Sequence, residues 1–218
     1  MKKVLITGAS GFIGHHLIKS SQDAGLHVYA GVRPSSNTES LKKLDVEIVP
    51  INYDVPSALK ATLVEFGFDY IIHNAGTTQA HTPEEFFKVN SQITKNFVDA
   101  LEDKDVVNEK FILMSSLAAQ GPGIVGKSIH VSDLENPITV YGESKLDAEK
   151  HLFASSKLNF TIFRPTAVYG PREKDLLILV KMLKNKLELY IGRKPQQLSF
   201  VYVEDLSTLV VASLNADQ

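Results

Sequence analysis

Short apolar runs alternate along the chain with longer segments of helical periodicity, and this alternation constrains the fold most. The runs lie at residues 4–7, 27–32, 46–49, 70–73, 110–114 and 160–163. They are apolar nearly throughout, which is typical of strands buried on both faces of a parallel sheet. Helices between successive strands imply βαβ units with right-handed crossovers. We therefore predict an α/β fold with an open, doubly wound parallel sheet.

The segments between the runs contain signals for individual helices. Gly25 marks the end of a helix that starts near Phe12. Thr82 and Pro83 suit the N-cap and first turn of a helix that runs to about residue 102. A further helix is predicted over about 141–157.

After residue 163 the pattern changes, because Pro165, Gly170 and Pro171 interrupt the chain. The elements predicted beyond them are an amphipathic helix at about 174–185, a strand at 198–203 and a helix at 204–215. We predict a first domain over 1–163 and part of a second, smaller lobe over 164–218.

The composition excludes several classes of protein. The 218 residues contain no Cys, so they offer neither a disulfide framework nor a thiolate metal site. The 23 basic and 25 acidic residues lack the basic excess that is typical of a nucleic-acid surface. No apolar run reaches the roughly 20 residues of a membrane span, and the first residues lack the core of a signal peptide. We expect a cytoplasmic protein that binds no nucleic acid, membrane or metal.

A glycine-rich turn, TGASGFIG at 7–14, directly follows the first predicted strand. Gly8 permits the tight turn, Gly11 lets the backbone approach a pyrophosphate, and Gly14 permits close packing of helix on sheet. The helix that follows offers unpaired N–H groups and a partial positive charge to phosphates. The turn therefore predicts a dinucleotide site. The neighbouring residues assigned to the same site are Ser10, Phe12 and Ile13.

The end of the second predicted strand bears on which dinucleotide binds. NAD-binding proteins of this type carry an acidic residue there, which holds the ribose 2′-hydroxyl. This chain has no carboxylate at that place, and Arg33 follows the strand instead. The planar guanidinium of Arg33 suits a 2′-phosphate, so we expect NADP in preference to NAD. The alternative is that Arg33 is a solvated turn residue.

Ser116, Tyr141 and Lys145 form a second candidate site. Tyr141 and Lys145 are four residues apart, on one face of a predicted helix, and Ser115 and Ser116 follow a strand. Hydride transfer at a carbinol carbon needs a group that takes or gives the hydroxyl proton, which a tyrosine of pKa ~10 does poorly at neutral pH. The lysine cation would lower that pKa, and Ser116 would hold the substrate oxygen.

Together these motifs resemble the extended short-chain dehydrogenase/reductase superfamily, and more narrowly its NAD-dependent epimerase/dehydratase family. The resemblance rests on TGASGFIG at 7–14, HNAG at 73–76, KVN at 88–90, MSS at 114–116, YGESK at 141–145 and FRPTAVYGP at 163–171. It implies a Rossmann fold, bound NAD(P), and a catalytic triad of Ser116, Tyr141 and Lys145. In the family, the lysine also holds the nicotinamide ribose.

The same resemblance implies roles for further residues. Asn90 matches the helix asparagine that holds the catalytic site and its proton-relay water. The matches to cofactor-binding positions are Asn52 and Tyr53 near the adenine, Asn74, Ala75 and Gly76 near the adenosine ribose, and Pro165 and Val168 at the nicotinamide end. Family members continue beyond the segment that matches 202–205, so the lobe at 164–218 is expected to be an incomplete substrate-binding lobe.

Two departures from the family affect the expected substrate. Arg164 stands where many nucleotide-sugar enzymes carry an Asn that contacts the sugar diphosphate, and Gln120 replaces a Tyr. We expect an NAD(P)-dependent oxidoreductase or epimerase that acts on a small molecule, with a nucleotide sugar as the candidate substrate. The alternatives are an NADP-dependent carbonyl reductase similar to dihydroflavonol reductases, and a non-catalytic dinucleotide-binding regulator.

The resemblance also bears on assembly. The helices at about 83–102 and 141–157 often form a dimer interface in this family, which would make a homodimer. The alternative is that their apolar faces pack only against the sheet.

Overall fold

The computed structural model describes residues 1–187 and 197–216 of the chain. Its strands are β1 (Lys3–Thr7), β2 (His27–Val32), β3 (Glu47–Pro50), β4 (Tyr70–His73), β5 (Lys110–Met114), β6 (Phe160–Phe163), β7 (Ala167–Tyr169) and β8 (Phe200–Tyr202). Its α-helices are α1 (Phe12–Asp23), α2 (Pro56–Phe66), α3 (Pro83–Phe86), α4 (Ile93–Leu101), α5 (Leu117–Gln120), α6 (Val140–Phe153), α7 (Asp175–Lys184) and α8 (Val203–Ala212). A π-helical segment (Phe87–Gln92) joins α3 to α4, and a 3₁₀ turn (Ser213–Asn215) follows α8.

Six parallel strands form the main sheet in the order β3-β2-β1-β4-β5-β6. The register aligns Thr7 at the end of β1 with Gly31 of β2 and with His73 of β4. The strand order reverses beside β1, and ligands of open α/β sheets bind at such a reversal. The predicted doubly wound parallel sheet is confirmed, and β2, β4, β5 and β6 have the predicted bounds.

Helices cover both faces of the sheet, which explains why its strands are apolar nearly throughout. Successive residues of a strand point to opposite faces. Leu5 of β1 packs in a cluster with Phe97 of α4 and Leu152 of α6. Its neighbour Ile6 packs on the other face, in a cluster that includes Val210 of α8. The folded chain therefore has one apolar core on each side of the sheet.

The helix predicted from residue 83 to about 102 has an irregular middle. Thr82 caps its start as predicted, because its hydroxyl accepts a hydrogen bond from the amide of Glu85 at 3.3 Å. The π-helical segment then interrupts the α-helix, and Thr94 Oγ1 donates to the carbonyl of Asn90 at 3.0 Å. Such π-helical turns are frequent at functional sites. Here the π-helical segment contains a candidate site residue, Asn90.

Helix α2 is an element that the sequence analysis does not predict. It buries Leu59 and Leu63 against the sheet. The local signals for it are Pro56 in its first turn and a left-handed Gly67 at its C-cap. The two short elements α5 and β7 are also absent from the sequence-based assignment.

The chain after residue 163 contributes to two different structures. Strands β7 and β8 pair in parallel as a separate two-stranded sheet. Helix α8 instead packs against α1, with Leu206 and Val210 in the apolar cluster of the main sheet. The domain boundary after residue 163 stays a prediction, although α8 packs on the first domain. Residues 188–196 and 217–218 of the predicted lobe lie outside the described residues.

No helix within 1–187 or 197–216 is long and apolar enough to cross a membrane.

Candidate active site

A cleft of about 2570 Å³ runs along the carboxyl ends of the parallel strands. The predicted cofactor residues that line it are Gly8, Ser10, Gly11, Phe12, Ile13, Arg33, Asn52, Tyr53, Asn74, Ala75, Gly76, Pro165 and Val168. Ser116 and Tyr141 line the same cleft. Gly14, Asn90 and Lys145 are buried behind its wall. One surface feature therefore brings together both motifs that the sequence analysis treats separately.

Gly8 allows two turns of the cleft wall to touch. Its φ angle is +64°, in the left-handed region that favours glycine. A Cβ atom on Gly8 would lie 2.7 Å from the carbonyl oxygen of Asn74 and 2.9 Å from the amide nitrogen of Ala75. The amide of Gly11 donates to the carbonyl of Gly8 at 3.0 Å and closes the turn. Any side chain at Gly8 would push these two turns apart.

The start of α1 borders the cleft and suits an anion. A Cβ atom on Gly14 would lie 2.2 Å from the carbonyl oxygen of Gly8, so only glycine lets α1 begin this close to the turn. The N-cap, Gly11, has no side chain to satisfy the first N–H groups, and the first turn of α1 contains no acidic residue. These N–H groups and the positive end of the helix dipole are therefore available to a pyrophosphate.

Thr7 and His73 support the turn that follows β4. Thr7 Oγ1 accepts hydrogen bonds from the amides of Asn74 at 3.1 Å and Ala75 at 2.9 Å. It lies 2.9 Å from His73 Nδ1. Because the two amides use both acceptor positions of the hydroxyl, its proton is donated to His73. Burial lowers the pKa of His73 to about 3, so the imidazole is neutral and acts as a buried acceptor.

Arg33, Asn52 and Tyr53 line the cleft beside the glycine turn. Arg33 is exposed, and no carboxylate in the described part of the chain forms an ion pair with it. Asn52 Oδ1 accepts from the amide of Asp54 at 3.2 Å, which leaves the side-chain N–H groups of Asn52 for a ligand. The hydroxyl of Tyr53 is buried without a hydrogen-bond partner among the described residues, and burial raises its pKa.

The two serines after β5 differ in their contacts. Ser115 donates its hydroxyl proton to the buried carboxylate of Glu149. Ser116 is the N-cap of α5, where its hydroxyl oxygen accepts from the amide of Ala118 at 3.1 Å. The Ser116 hydroxyl also lies near the Tyr141 phenol, where it lowers the tyrosine pKa. These contacts support Ser116, rather than Ser115, as the serine of the candidate triad.

Tyr141 lies in the first turn of α6. Thr139 caps this helix, because its hydroxyl accepts from the amide of Gly142 at 3.0 Å. Burial raises the pKa of Tyr141 above its ordinary value near 10, and the nearby Ser116 hydroxyl only partly opposes this rise. The pKa shift is opposite in direction to the one expected from the charge of Lys145, because burial dominates and the group that lowers the pKa is the Ser116 hydroxyl. Tyr141 therefore keeps its proton at neutral pH.

Lys145 lies one turn after Tyr141 and is almost completely buried, with 4% of its surface exposed. Its ammonium group donates to the carbonyl of Met114, at the end of β5, over 2.6 Å. Burial lowers the lysine pKa to about 8, against an opposing effect of the Glu149 carboxylate. At neutral pH most of the molecules therefore carry a cation directly behind the cleft wall.

Asn90 connects the turn after β4 to α6. Its Oδ1 accepts from the amide of Thr77 at 2.8 Å, and its Nδ2 donates at 3.0 Å to both the carbonyl of Thr77 and the hydroxyl of Ser144. The residue is 1% exposed. This geometry makes Asn90 a support for the cleft wall, and its predicted proton relay stays a prediction.

We expect Asn90→Ala to lower the free energy of unfolding by about 2–3 kcal/mol, because it removes the hydrogen-bond partner of the half-buried Thr77 backbone and of the buried Ser144 hydroxyl. Urea denaturation measures this change. Gln92→Ala is the matched control, since Gln92 is an exposed amide in the same π-helical segment. A loss for Asn90→Ala no larger than that for Gln92→Ala would contradict the bridging role.

The two departures from the family pattern contact each other, and neither of them lines the cleft. The guanidinium of Arg164 donates to Gln120 Oε1, to Glu135 at 3.0 Å and to Glu149. Arg164 is absent from the cleft lining, because these carboxylates hold it beside α6. Its replacement of the family Asn therefore produces an internal ion pair in the described structure.

Part of the cleft wall carries no sequence motif. It comprises residues 121–125 and 127–129, Ile138 and Thr139, together with residues 172–174, 176 and 197–199. The amide of Gly126 donates to Gln197 Oε1 at 3.3 Å, which joins the two segments. Lys127 and Arg172 add positive charge to this wall. The sequence signal here is the run of turn residues Gly121, Pro122 and Gly123, which predicts a loop without saying what it approaches.

The model of the NAD dependent epimerase/dehydratase family matches residues 4–218. The chain belongs to this family. Its membership confirms the resemblance that the motifs indicate.

Two curated relatives show the range of the family. The chain is 30% identical over 221 residues to UDP-glucose 4-epimerase of Vibrio cholerae, covering 98% of this chain and 67% of that protein. It is 29% identical over 209 residues to ceramide reductase of Caulobacter vibrioides, covering 96% of this chain and 60% of that protein. The chain thus spans about 60% to 67% of the length of these relatives.

Solved structures show the same fold. UDP-glucose 4-epimerase of Thermus thermophilus, in complex with NAD, superposes with a TM-score of 0.85 at 22% identity. The match covers 99% of this chain and 75% of that chain. This similarity confirms the Rossmann fold.

Proposed function

We propose that this chain is an NAD(P)-dependent oxidoreductase or epimerase that transfers hydride at a hydroxyl or carbonyl carbon, with Tyr141 as the acid/base. The observation that carries the proposal is the convergence of the glycine turn and of Ser116 and Tyr141 on one cleft. Family membership supports it, because the relatives are named as epimerases, dehydratases and reductases.

The cleft residues fit a nicotinamide dinucleotide. Gly8 and Gly14 leave the backbone of the turn accessible, and the start of α1 offers N–H groups to two phosphates. The side-chain N–H groups of Asn52 are available at one end, and Pro165 and Val168 line the other. When bound, the cofactor donates or accepts hydride at its nicotinamide ring.

The protein residues then hold the substrate oxygen and move its proton. Tyr141 is protonated at neutral pH and is therefore ready to donate a proton to a carbonyl oxygen. In the opposite, oxidising direction, the Tyr141 phenolate would take the proton of the substrate hydroxyl. The Ser116 hydroxyl, which lines the cleft near Tyr141, is placed to bind the same oxygen. Lys145 is a cation below about pH 8, and its charge would stabilise the phenolate that remains after proton donation.

The proposed substrate class is nucleotide sugars. The first support is the similarity to UDP-glucose 4-epimerase of Vibrio cholerae. The second is the positive charge of Lys127 and Arg172 on the cleft wall, which suits a diphosphate. A carbonyl reductase is the second candidate, favoured by the protonated Tyr141 and by the similarity to a ceramide reductase.

The two activities differ in whether the reduced cofactor is consumed. An epimerase returns the hydride to the same substrate, so the reduced cofactor does not accumulate or disappear. A reductase consumes one NADPH for each product. We would incubate the protein with a panel of UDP-sugars, dTDP-sugars and ketones, and follow both NADPH absorbance and product chromatography. An epimer formed without net change of NADPH supports the first proposal. NADPH consumption with a ketone supports the second, and turnover of neither panel contradicts both.

We also propose NADP(H) as the preferred cofactor, because Arg33 is exposed on the cleft wall without a carboxylate partner in the described part of the chain. We expect Arg33→Gln to weaken NADPH binding by about 10-fold to 100-fold, since a hydrogen bond to a charged group contributes about 1.5–3 kcal/mol. NADH binding should stay unchanged. Titration of cofactor fluorescence measures both affinities.

Arg172→Gln is the control for this prediction, because Arg172 lines another part of the same cleft. It should leave the ratio of NADPH to NADH affinity unchanged. Tighter binding of NADH than of NADPH by the unmodified protein would contradict the proposed role of Arg33.

The homodimer stays a prediction. The apolar residues of α4 and α6, including Phe97 and Leu152, pack against the sheet. The surface they leave outward carries polar contacts, such as the ion pair between Lys95 and Asp99.

A further inference from the structure

A buried carboxylate, Glu149, lies behind the candidate triad and outside the cleft lining. It is on α6, one turn after Lys145, and is 1% exposed. A buried carboxylate is costly unless it is paired and hydrogen-bonded. Glu149 has both kinds of partner, because it accepts from the Ser115 hydroxyl and pairs with the Arg164 guanidinium.

The pairing of Glu149 with Arg164 has the geometry of a strong contact. Arg164 Nε lies 3.0 and 3.1 Å from the two carboxylate oxygens, and Nη2 lies 2.5 Å from Oε2. The remaining donors of the guanidinium bind Gln120 and Glu135. A planar guanidinium held at three sides fixes the carboxylate in one orientation.

These contacts join the chain segments that carry the candidate triad. The residue after Ser115 is Ser116, and the residue after Arg164 is Pro165, which lines the cleft. The amide of Leu117 donates to the carbonyl of Pro165 at 2.9 Å, directly beside these contacts. Helix α6 therefore holds the end of β5 at two consecutive residues, through Lys145 on Met114 and Glu149 on Ser115.

We propose that Glu149 is a positioning residue, which Arg164 fixes in place, and that it sets Ser116 relative to Tyr141 and places a negative charge one helical turn from Lys145. This inference rests on the proposed function of the triad.

The charges around Lys145 decide how strongly the Glu149 carboxylate changes the pKa of Lys145. His73, on β4, is neutral because its pKa is lowered to about 3, and the phenol of Tyr141 is neutral as well. Among the described residues, the charge that acts on the lysine pKa is the Glu149 carboxylate, which opposes the lowering caused by burial. Removing that charge leaves burial unopposed, so the pKa must fall below about 8.

Lysine side-chain NMR measures the pKa of Lys145 without any substrate. With ¹³C- and ¹⁵N-labelled lysine, the titration of Lys145 is followed from pH 6 to pH 10, and the signal is assigned by its loss in Lys145→Arg. We expect Glu149→Gln to lower the titration midpoint by about one pH unit, as for the loss of a nearby opposite charge. Glu135→Gln is the matched control, because Glu135 also pairs with Arg164 but is more exposed. It should leave the midpoint unchanged.

A folded Glu149→Gln protein with an unchanged Lys145 midpoint would overturn the inference. Glu149→Gln leaves the half-buried Arg164 without its main partner and so risks misfolding. A second variant, Glu149→Gln with Arg164→Gln, removes both charges and avoids an unpaired guanidinium. Because the charge acting on Lys145 is that of Glu149, this double variant should lower the midpoint as well. The titration reports on Glu149 even if no substrate is turned over. A failure of the inference about Glu149 can therefore be told apart from a failure of the proposed function.

Discussion

Tyr141→Phe is expected to lower kcat by about 100-fold to 10 000-fold, the usual contribution of a positioned acid or base. The substitution removes one oxygen atom and keeps the aromatic ring. The centroid of this ring lies 6.2 Å from the centroid of the Phe86 ring. Because the phenol proton is the one donated in the proposed reaction, the effect should appear in kcat. NADPH affinity should change little, and kinetics with the substrate found in the panel measure both quantities.

Tyr70→Phe is the matched control for Tyr141→Phe. The Tyr70 hydroxyl bonds to Asn215 at 3.1 Å, at the amino end of β4, where the strand is farthest from the cleft. Its loss should leave kcat unchanged. If Tyr141→Phe retained full turnover, the acid/base assignment would be wrong, and the triad would have to be reinterpreted as a binding contact.

Gly8→Ala is expected to lower the free energy of unfolding by about 2–5 kcal/mol and to abolish NADPH binding. A left-handed backbone costs a non-glycine residue roughly 1–2 kcal/mol, and overpacking typically adds 1–3 kcal/mol. The new Cβ atom would meet the backbone of Asn74 and Ala75, which cannot rotate away as a side chain could. Urea denaturation and NADPH titration measure the two effects.

Gly67→Ala separates the two costs of Gly8→Ala. Gly67 has nearly the same φ angle, +59°, but a Cβ atom there would have no heavy atom within 4 Å. We expect it to show only the backbone cost of roughly 1–2 kcal/mol and to bind NADPH normally. Equal losses of stability in the two variants, with NADPH binding intact in both, would refute the close approach of the two turns as a requirement of the site.

Much of the fold can be predicted from the sequence because its signals are local. Each buried strand is a short apolar run, and the Gly8 turn has a fixed place between β1 and α1. The order of the motifs predicts which strand ends meet, because parallel strands place their carboxyl ends at one edge of the sheet. The candidate cofactor residues and the triad therefore gather around one cleft, as the sequence analysis expects.

The contacts of long side chains could not be predicted in the same way. Arg164 looks like a substitution in a substrate motif, but its partners Glu149 and Glu135 lie 15 and 29 residues away in the sequence. The direction of the Tyr141 pKa also depends on burial, which the spacing of Tyr141 and Lys145 does not show. The packing of helix α8 could not be predicted either. Its apolar face could pack equally well against a separate lobe or against the first domain, and in the structure it packs against the first domain.

A crystal structure of this chain with NADP⁺ tests the central claim most directly. We expect one cofactor in the cleft, with its pyrophosphate at the start of α1, its 2′-phosphate bonded to Arg33 and its nicotinamide ring beside Tyr141. A cofactor bound elsewhere, or bound in this cleft with its nicotinamide ring away from Tyr141, would contradict it.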